Sequence, residues 1–191
     1  MCHEQKEFII LILFVIVIAI VVFISTQSYP VALVNWRLIT LKSFKKDSGI
    51  AVHYYQKMLE TYDRNQTPVF HSPEIQREIE RAVLEQLIKN SLIRQELEKQ
   101  MKSGELKKMV DNKVQEVLKG KDVGKEIETL YGLSLDEFKE RVLRPQAERE
   151  ILVGRFFLEN KSFDDWLKES KAKIIILMPG LEWNGEKVVI K

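Results

Sequence analysis

Residues 8–24, from Phe8 to Ile24, carry no charge and no polar side chain. A run of about 17 such residues reaches the lower end of what crosses a hydrocarbon core as a helix. A buried core helix would show one polar stripe. A cleaved signal peptide has a shorter apolar core and ends at a small-residue site, of which Thr26-Gln27-Ser28 is a poor copy. The pattern predicts a retained transmembrane helix over residues 8–26 that contacts the lipid bilayer, a short tail before it (residues 1–7), and one domain over residues 31–191. Lys and Arg near the run, Lys6 before it and Arg37, Lys42, Lys45 and Lys46 after it, lean weakly toward a cytoplasmic C-terminal side.

Beyond the apolar run the period changes. Residues 31–39, VALVNWRLI, are apolar and β-prone and predict a short strand. Thr40 opens a helix to about Tyr62, in which Phe44, Ala51, Tyr55, Leu59 and Tyr62 recur at helical spacing. Ser72-Pro73 places an N-cap residue before a first-turn proline, and the helix it starts runs to about Lys102. Three apolar rows on that helix imply burial against more than one partner. A third helix, residues 105–118, points Leu106, Met109, Val110, Val114 and Val117 inward. A short helix ends at Tyr131 before Gly132, where a C′ glycine belongs.

Ser134 and Glu137 form a capping box that starts another long helix. Pro145 should kink it near Arg144, because the ring clashes with the carbonyl of Arg141. Ser162 caps a last short helix. Residues 173–177, KIIIL, predict a strand whose partner is residues 31–39, and Asn184-Gly185 predicts a two-residue hairpin turn.

Composition narrows the function classes. The chain of 191 residues has 30 Lys and Arg against 28 Asp and Glu, a net charge of +2, which leaves no electrostatic footprint for nucleic acid. The single cysteine, Cys2, has no intrachain partner. The histidines, His3, His53 and His71, fit no metal-ligand spacing, and no phosphate-binding glycine loop or nucleophile elbow occurs, so neither an enzyme nor a cofactor is expected. Asp164-Asp165 reads as first-turn acids of a helix, and Glu148, Arg149 and Glu150 read as a solvated face.

Several segments together resemble the N-terminal chaperone domain of the SurA, PpiD and PrsA family of extracytoplasmic folding factors. VNWRLIT (residues 34–40) is similar to that family's opening V-N-G-x-x-I-T. LEQLIKNSLIRQELEK (84–99) resembles its long-helix core, YGLSLDEFKERVLRPQAEREIL (131–152) its later helix start, and FDDWLKESKAKIII (163–176) its closing helix and strand. Trp36 stands where the family has glycine, which puts the tight turn there in question, and Pro145 interrupts the last long helix. The chain has no room for the parvulin isomerase domain that members usually carry.

The resemblance implies a mostly α fold, in which an N-terminal transmembrane helix precedes a helical domain of the SurA N-terminal type closed by short β-strands from its two ends. It implies a cytoplasmic N-terminus, an extracytoplasmic domain at the cell membrane, and a holdase that binds unfolded or emerging polypeptide clients in an apolar helical cradle. Tyr54, Tyr55, Met58, Tyr62, Met101 and Met109 are the candidates to line that cradle, although ordinary core packing accounts for such residues too. Two other readings remain open: a tethered adaptor for one fixed envelope partner, and a relative of the prolyl isomerases that lacks the catalytic domain.

Overall fold

The structure, a computed structural model, describes residues 29–62, residue 70 and residues 72–191, apart from the side chain of Tyr62. The chain is mostly helical, with a few short strands. The elements are β1 (Pro30–Val34), β2 (Arg37–Thr40), α1 (Leu41–Tyr62), α2 (Pro73–Gln100), α3 (Ser103–Leu118), α4 (Gly124–Tyr131), α5 (Leu135–Phe138), a π turn (Lys139–Leu143), α6 (Arg144–Leu158), α7 (Phe163–Glu169), β3 (Ile174–Ile176), β4 (Leu181–Trp183) and β5 (Val188–Ile190).

Among the described residues, no helix is long and apolar enough to cross a membrane. The expected fold class is corrected accordingly: the described residues form a mostly helical domain with short strands, and none of their helices spans a membrane. The run from Phe8 to Ile24 lies outside the described residues. Neither a single-pass arrangement at a cell membrane nor an extracytoplasmic place for the domain has support in the structure.

The run at residues 31–39 is a hairpin, not one strand. Asn35 and Trp36, with φ of 49° and 68°, turn the chain between Val34 and Arg37. Positive φ at both central residues is the primed turn that matches the right-handed twist of two antiparallel strands. Asparagine tolerates it, and tryptophan occupies it here in place of the usual glycine. The left-handed backbone costs a bulky residue roughly 1–2 kcal/mol. Lys173 Nζ, 4.7 Å above the indole ring, offsets part of that. Trp36→Gly should therefore stabilise the fold by about 0.5–1 kcal/mol. Urea denaturation measures it, and a lower midpoint in the variant would show that the ring contact outweighs the strain.

β1 is the middle strand of a three-stranded antiparallel sheet ordered β2-β1-β3, with Ala32 opposite Ile176 and Val34 opposite Ile174. The two ends of the domain thus close on each other. β4 and β5 form a second hairpin, whose connection is longer than two residues. The Asn184 side chain accepts from the N–H groups of Glu186 and Lys187, which draws Asn184 into the loop rather than into a two-residue turn.

Local chemistry starts and stops the helices. Thr40 Oγ1 accepts from Ser43 N–H at the head of α1, and Ser72 Oγ from Ile75 N–H at the head of α2. Ser134 and Glu137 make both bonds of the capping box at α5. Gly132, with φ of 64°, ends α4, and the His53 ring packs over it while Nε2 donates to the Thr129 carbonyl at 3.0 Å.

The disturbance expected from Pro145 takes the form of the π turn. Arg144 N–H donates five residues back, to the Lys139 carbonyl. Widening one turn directly before the proline relieves the clash between its ring and the preceding turn.

α2 is the spine. Leu84, Ile88 and Leu92 belong to one core cluster with β1, Phe44, Leu167 and the β4–β5 hairpin. Ile93, Leu97 and Met101 belong to a second, with α3 and α6. On α3 the inward stripe is narrower than the sequence suggested. Leu106, Val110 and Val114 are buried, whereas Met109 and Val117 face out.

Candidate functional site

Between α1 and α2, at the margin of the first core cluster, an apolar cleft stays open. One part, about 260 Å³, is lined by Ile50, Ala51, Tyr54, Tyr55, Val83 and Leu87, with Tyr131 of α4 across from them. A second part, about 490 Å³, shares Ala51, Tyr55, Val83 and Gln86 and continues to Phe70, Ile75 and Ile79. The shared residues make the two parts one groove.

Stacked aromatic rings build the wall. Tyr54 lies nearly parallel to Tyr131 at 5.0 Å between ring centres and meets Tyr55 edge-on at 5.7 Å. Tyr131 in turn leans on Phe138 at 4.8 Å. Neighbouring rings fix one another's rotamers, so the groove keeps its shape without an occupant. Burial, and then the nearby Tyr54, push the Tyr131 phenol above its ordinary range, so it stays neutral.

Polar groups stand at the ends and along one side. At one end Arg141, carried by the π turn, donates to Asp47 at 2.6 Å. Burial nevertheless pushes the Asp47 carboxyl above the usual carboxylate range, against the pull of Arg141. Along α2, Gln86 Nε2 donates to Asn90 Oδ1 at 2.8 Å. Amides of this kind both donate and accept, which suits a peptide backbone of any sequence.

The candidates read from the sequence separate in space. Tyr54 and Tyr55 line the groove, and Tyr55 is 51 % exposed. Met58, one turn further along α1, is half-buried and is not among the lining residues. Tyr62 closes α1, and its side chain lies outside the described residues. Met101 is buried in the second core cluster. Met109 is exposed on α3, away from the groove.

The sequence reading did not single out Tyr131, Phe138 or the Asp47–Arg141 pair. Tyr131 and Phe138 sit on separate short elements, so no helical period links them to Tyr54. Among the described residues, no group of three or more His, Cys, Asp or Glu is placed to hold a metal ion. Comparison with protein-family models, with curated proteins and with solved structures finds no match to this chain.

Proposed function

We propose that the chain is a binding protein of the holdase type, related to the SurA N-terminal class of helical domains, which takes up unfolded polypeptide in the groove between α1 and α2. The observation that carries this reading is the open, preformed apolar groove walled by Tyr54, Tyr55 and Tyr131. Aromatic side chains supply large apolar contact at little conformational cost, and their hydroxyl edges tolerate water. A groove with apolar walls and a few amides favours sequence-tolerant binding over recognition of one small molecule, which needs convergent polar groups.

The purified protein should suppress aggregation of an unrelated chemically denatured protein at stoichiometric ratios, read by light scattering. The double variant Tyr54→Ala/Tyr55→Ala should be about thirtyfold weaker, since two aromatic anchors are lost at roughly 1 kcal/mol each. If the unmutated protein leaves aggregation unchanged even in excess, the reading fails.

A second reading, an adaptor for one fixed partner, is favoured by a different feature. Phe157 and Leu158, adjacent at the end of α6, are 79 % and 81 % exposed. Exposed apolar pairs of this kind serve as anchors in specific interfaces. In-cell crosslinking from the groove and from Phe157 separates the two readings: many partners from the groove support the holdase, and one dominant partner from Phe157 supports the adaptor.

A further inference from the structure

The outer edge of β2 lies at one end of the groove, and the hydrogen-bond parity of the sheet determines what that edge presents. Asn35 N–H donates to the Lys173 carbonyl at 2.9 Å, and Leu177 N–H donates to the Val31 carbonyl at 2.8 Å. Bonded positions alternate along an antiparallel pair. Midway between these two, Leu33 therefore directs its N–H and C=O to Ile175 on β3. Leu33 also stands opposite Leu38 on its other flank. With Leu33 engaged by β3, the Leu33–Leu38 position is a non-bonded one, and the N–H and C=O of Leu38 point away from β1. β2 ends the strand order, and Leu38 is 59 % exposed.

A cleft of about 340 Å³ lies beside this edge, lined by Leu38 of β2, Arg94 of α2, Glu140 of the π turn and Pro145 of α6. It meets the tyrosine groove without a break, since Asp47, Leu87, Asn90 and Arg141 line both. The whole trough follows α2 from Arg94 to Ile75, roughly 28 Å at the helical rise. About eight residues of extended chain cover that distance.

We infer that the occupant of the groove is an extended, unfolded polypeptide segment whose main chain adds to β2 through the N–H and C=O of Leu38, with its following residues laid along α2 past the tyrosines. The inference rests on the reading of this groove as a polypeptide-binding site and specifies how the polypeptide is held. One outward donor and one outward acceptor on the same strand residue are matched by another extended backbone. A helix or a folded surface has already spent its main-chain groups. Charge at this end is mixed: Arg94 is half exposed with its partner Glu148 buried, Arg37 is half exposed in its pair with Glu98, and the exposed carboxylate of Glu140 lines the same cleft. The strand edge, not charge, therefore selects the occupant.

Leu38→Pro isolates the backbone contribution. Proline removes only an N–H that the β1–β2 ladder does not use, and edge strands accept it at such positions. Leu38→Ala removes the side chain and keeps the N–H. The probe is reduced, carboxymethylated α-lactalbumin, a permanently unfolded acidic chain, and its affinity for the full-length protein is read by fluorescence anisotropy. Leu38→Pro should weaken binding about tenfold, while Leu38→Ala stays within about threefold. In the unmutated protein, hydrogen exchange of the Leu38 amide should slow when the probe is added, a result that does not depend on how well the proline variant folds. Unchanged exchange at Leu38, or wild-type affinity in a folded Leu38→Pro variant, would overturn strand addition; if Tyr54→Ala still weakens binding, the groove reading survives that result. Absence of binding by the unmutated protein would overturn both.

Discussion

Gln95→Ala is expected to lower the stability of the domain by about 2–4 kcal/mol, a large effect for one polar residue. Gln95 is 8 % exposed, near the C-terminal end of α2. Its amide nitrogen donates to the Val34 carbonyl at 3.1 Å and to Ser91 Oγ at 3.0 Å, and its oxygen accepts from Asn35 Nδ2 at 3.0 Å. Asn35 in turn accepts from Lys173 N–H through Oδ1. One side chain thus ties the turn of the first hairpin to the long helix, and through Asn35 to the approach of β3. Truncation leaves the Val34 carbonyl and the Asn35 amide without these partners and opens a void beside them. Gln95→Met separates the two costs. It refills the space, so its loss should be smaller, about 1–2 kcal/mol, and should report the missing hydrogen bonds alone. Guanidinium titrations of both variants decide the matter through the midpoint, with an unchanged slope. Equal losses in both variants would mean that the polar network, not the void, carries the whole effect; no loss in either would remove Gln95 from the account of the fold.

The second large effect concerns the two core clusters. Leu84 lies in the first and Leu97 in the second, and neither has any exposed surface. Leu84→Ala and Leu97→Ala should each cost about 3–4 kcal/mol, the transfer and cavity cost of a fully enclosed leucine. The clusters share a spine, because α2 passes through both, and Trp166 packs against each of them. Both variants should therefore shift one common transition. Tryptophan fluorescence, which reports Trp166 at the junction and Trp183 against the first cluster, and far-UV circular dichroism should give coincident curves for both. Curves that separate in one variant only would mean that the clusters unfold independently.

Much of this architecture was legible in local sequence chemistry. Ser72-Pro73, the Ser134–Glu137 box and Gly132 mark helix ends through short-range hydrogen bonds and one permitted left-handed position, and these depend little on the rest of the chain. The pairing of residues 31–34 with 174–176 was also readable, because both runs are apolar and β-branched. The hairpin at Asn35-Trp36 was not, since tryptophan hides a turn that glycine would have announced. The spread of Met101 and Met109 to opposite environments was illegible for another reason. Methionine suits core and surface alike, and which of the two it meets depends on how α3 lies against its neighbours. The groove was half visible. Tyr54 and Tyr55 stand side by side on α1, but the ring that completes their stack comes from residue 131, and only tertiary packing joins them. Arg141 reaches Asp47 from a turn whose geometry no helical period describes.

That turn leaves a trace in the spacing of apolar residues. Phe138 packs against the second core, and the next inward position is Leu143, five residues on, after which Ala147 and Ile151 follow at intervals of four. The widened turn behaves as one residue inserted into a continuous helix, and one residue corresponds to a rotation of about 100°. Everything after Leu143 is therefore out of phase with everything before it. The segment reads as two screws of the same pitch joined with an angular offset, and the offset lets the first half show Arg141 to the groove while the second half shows Glu148 to Arg94. Sequence comparison that assumes an unbroken period will slide by one position here, and will place the inward face of one half on the outward face of the other.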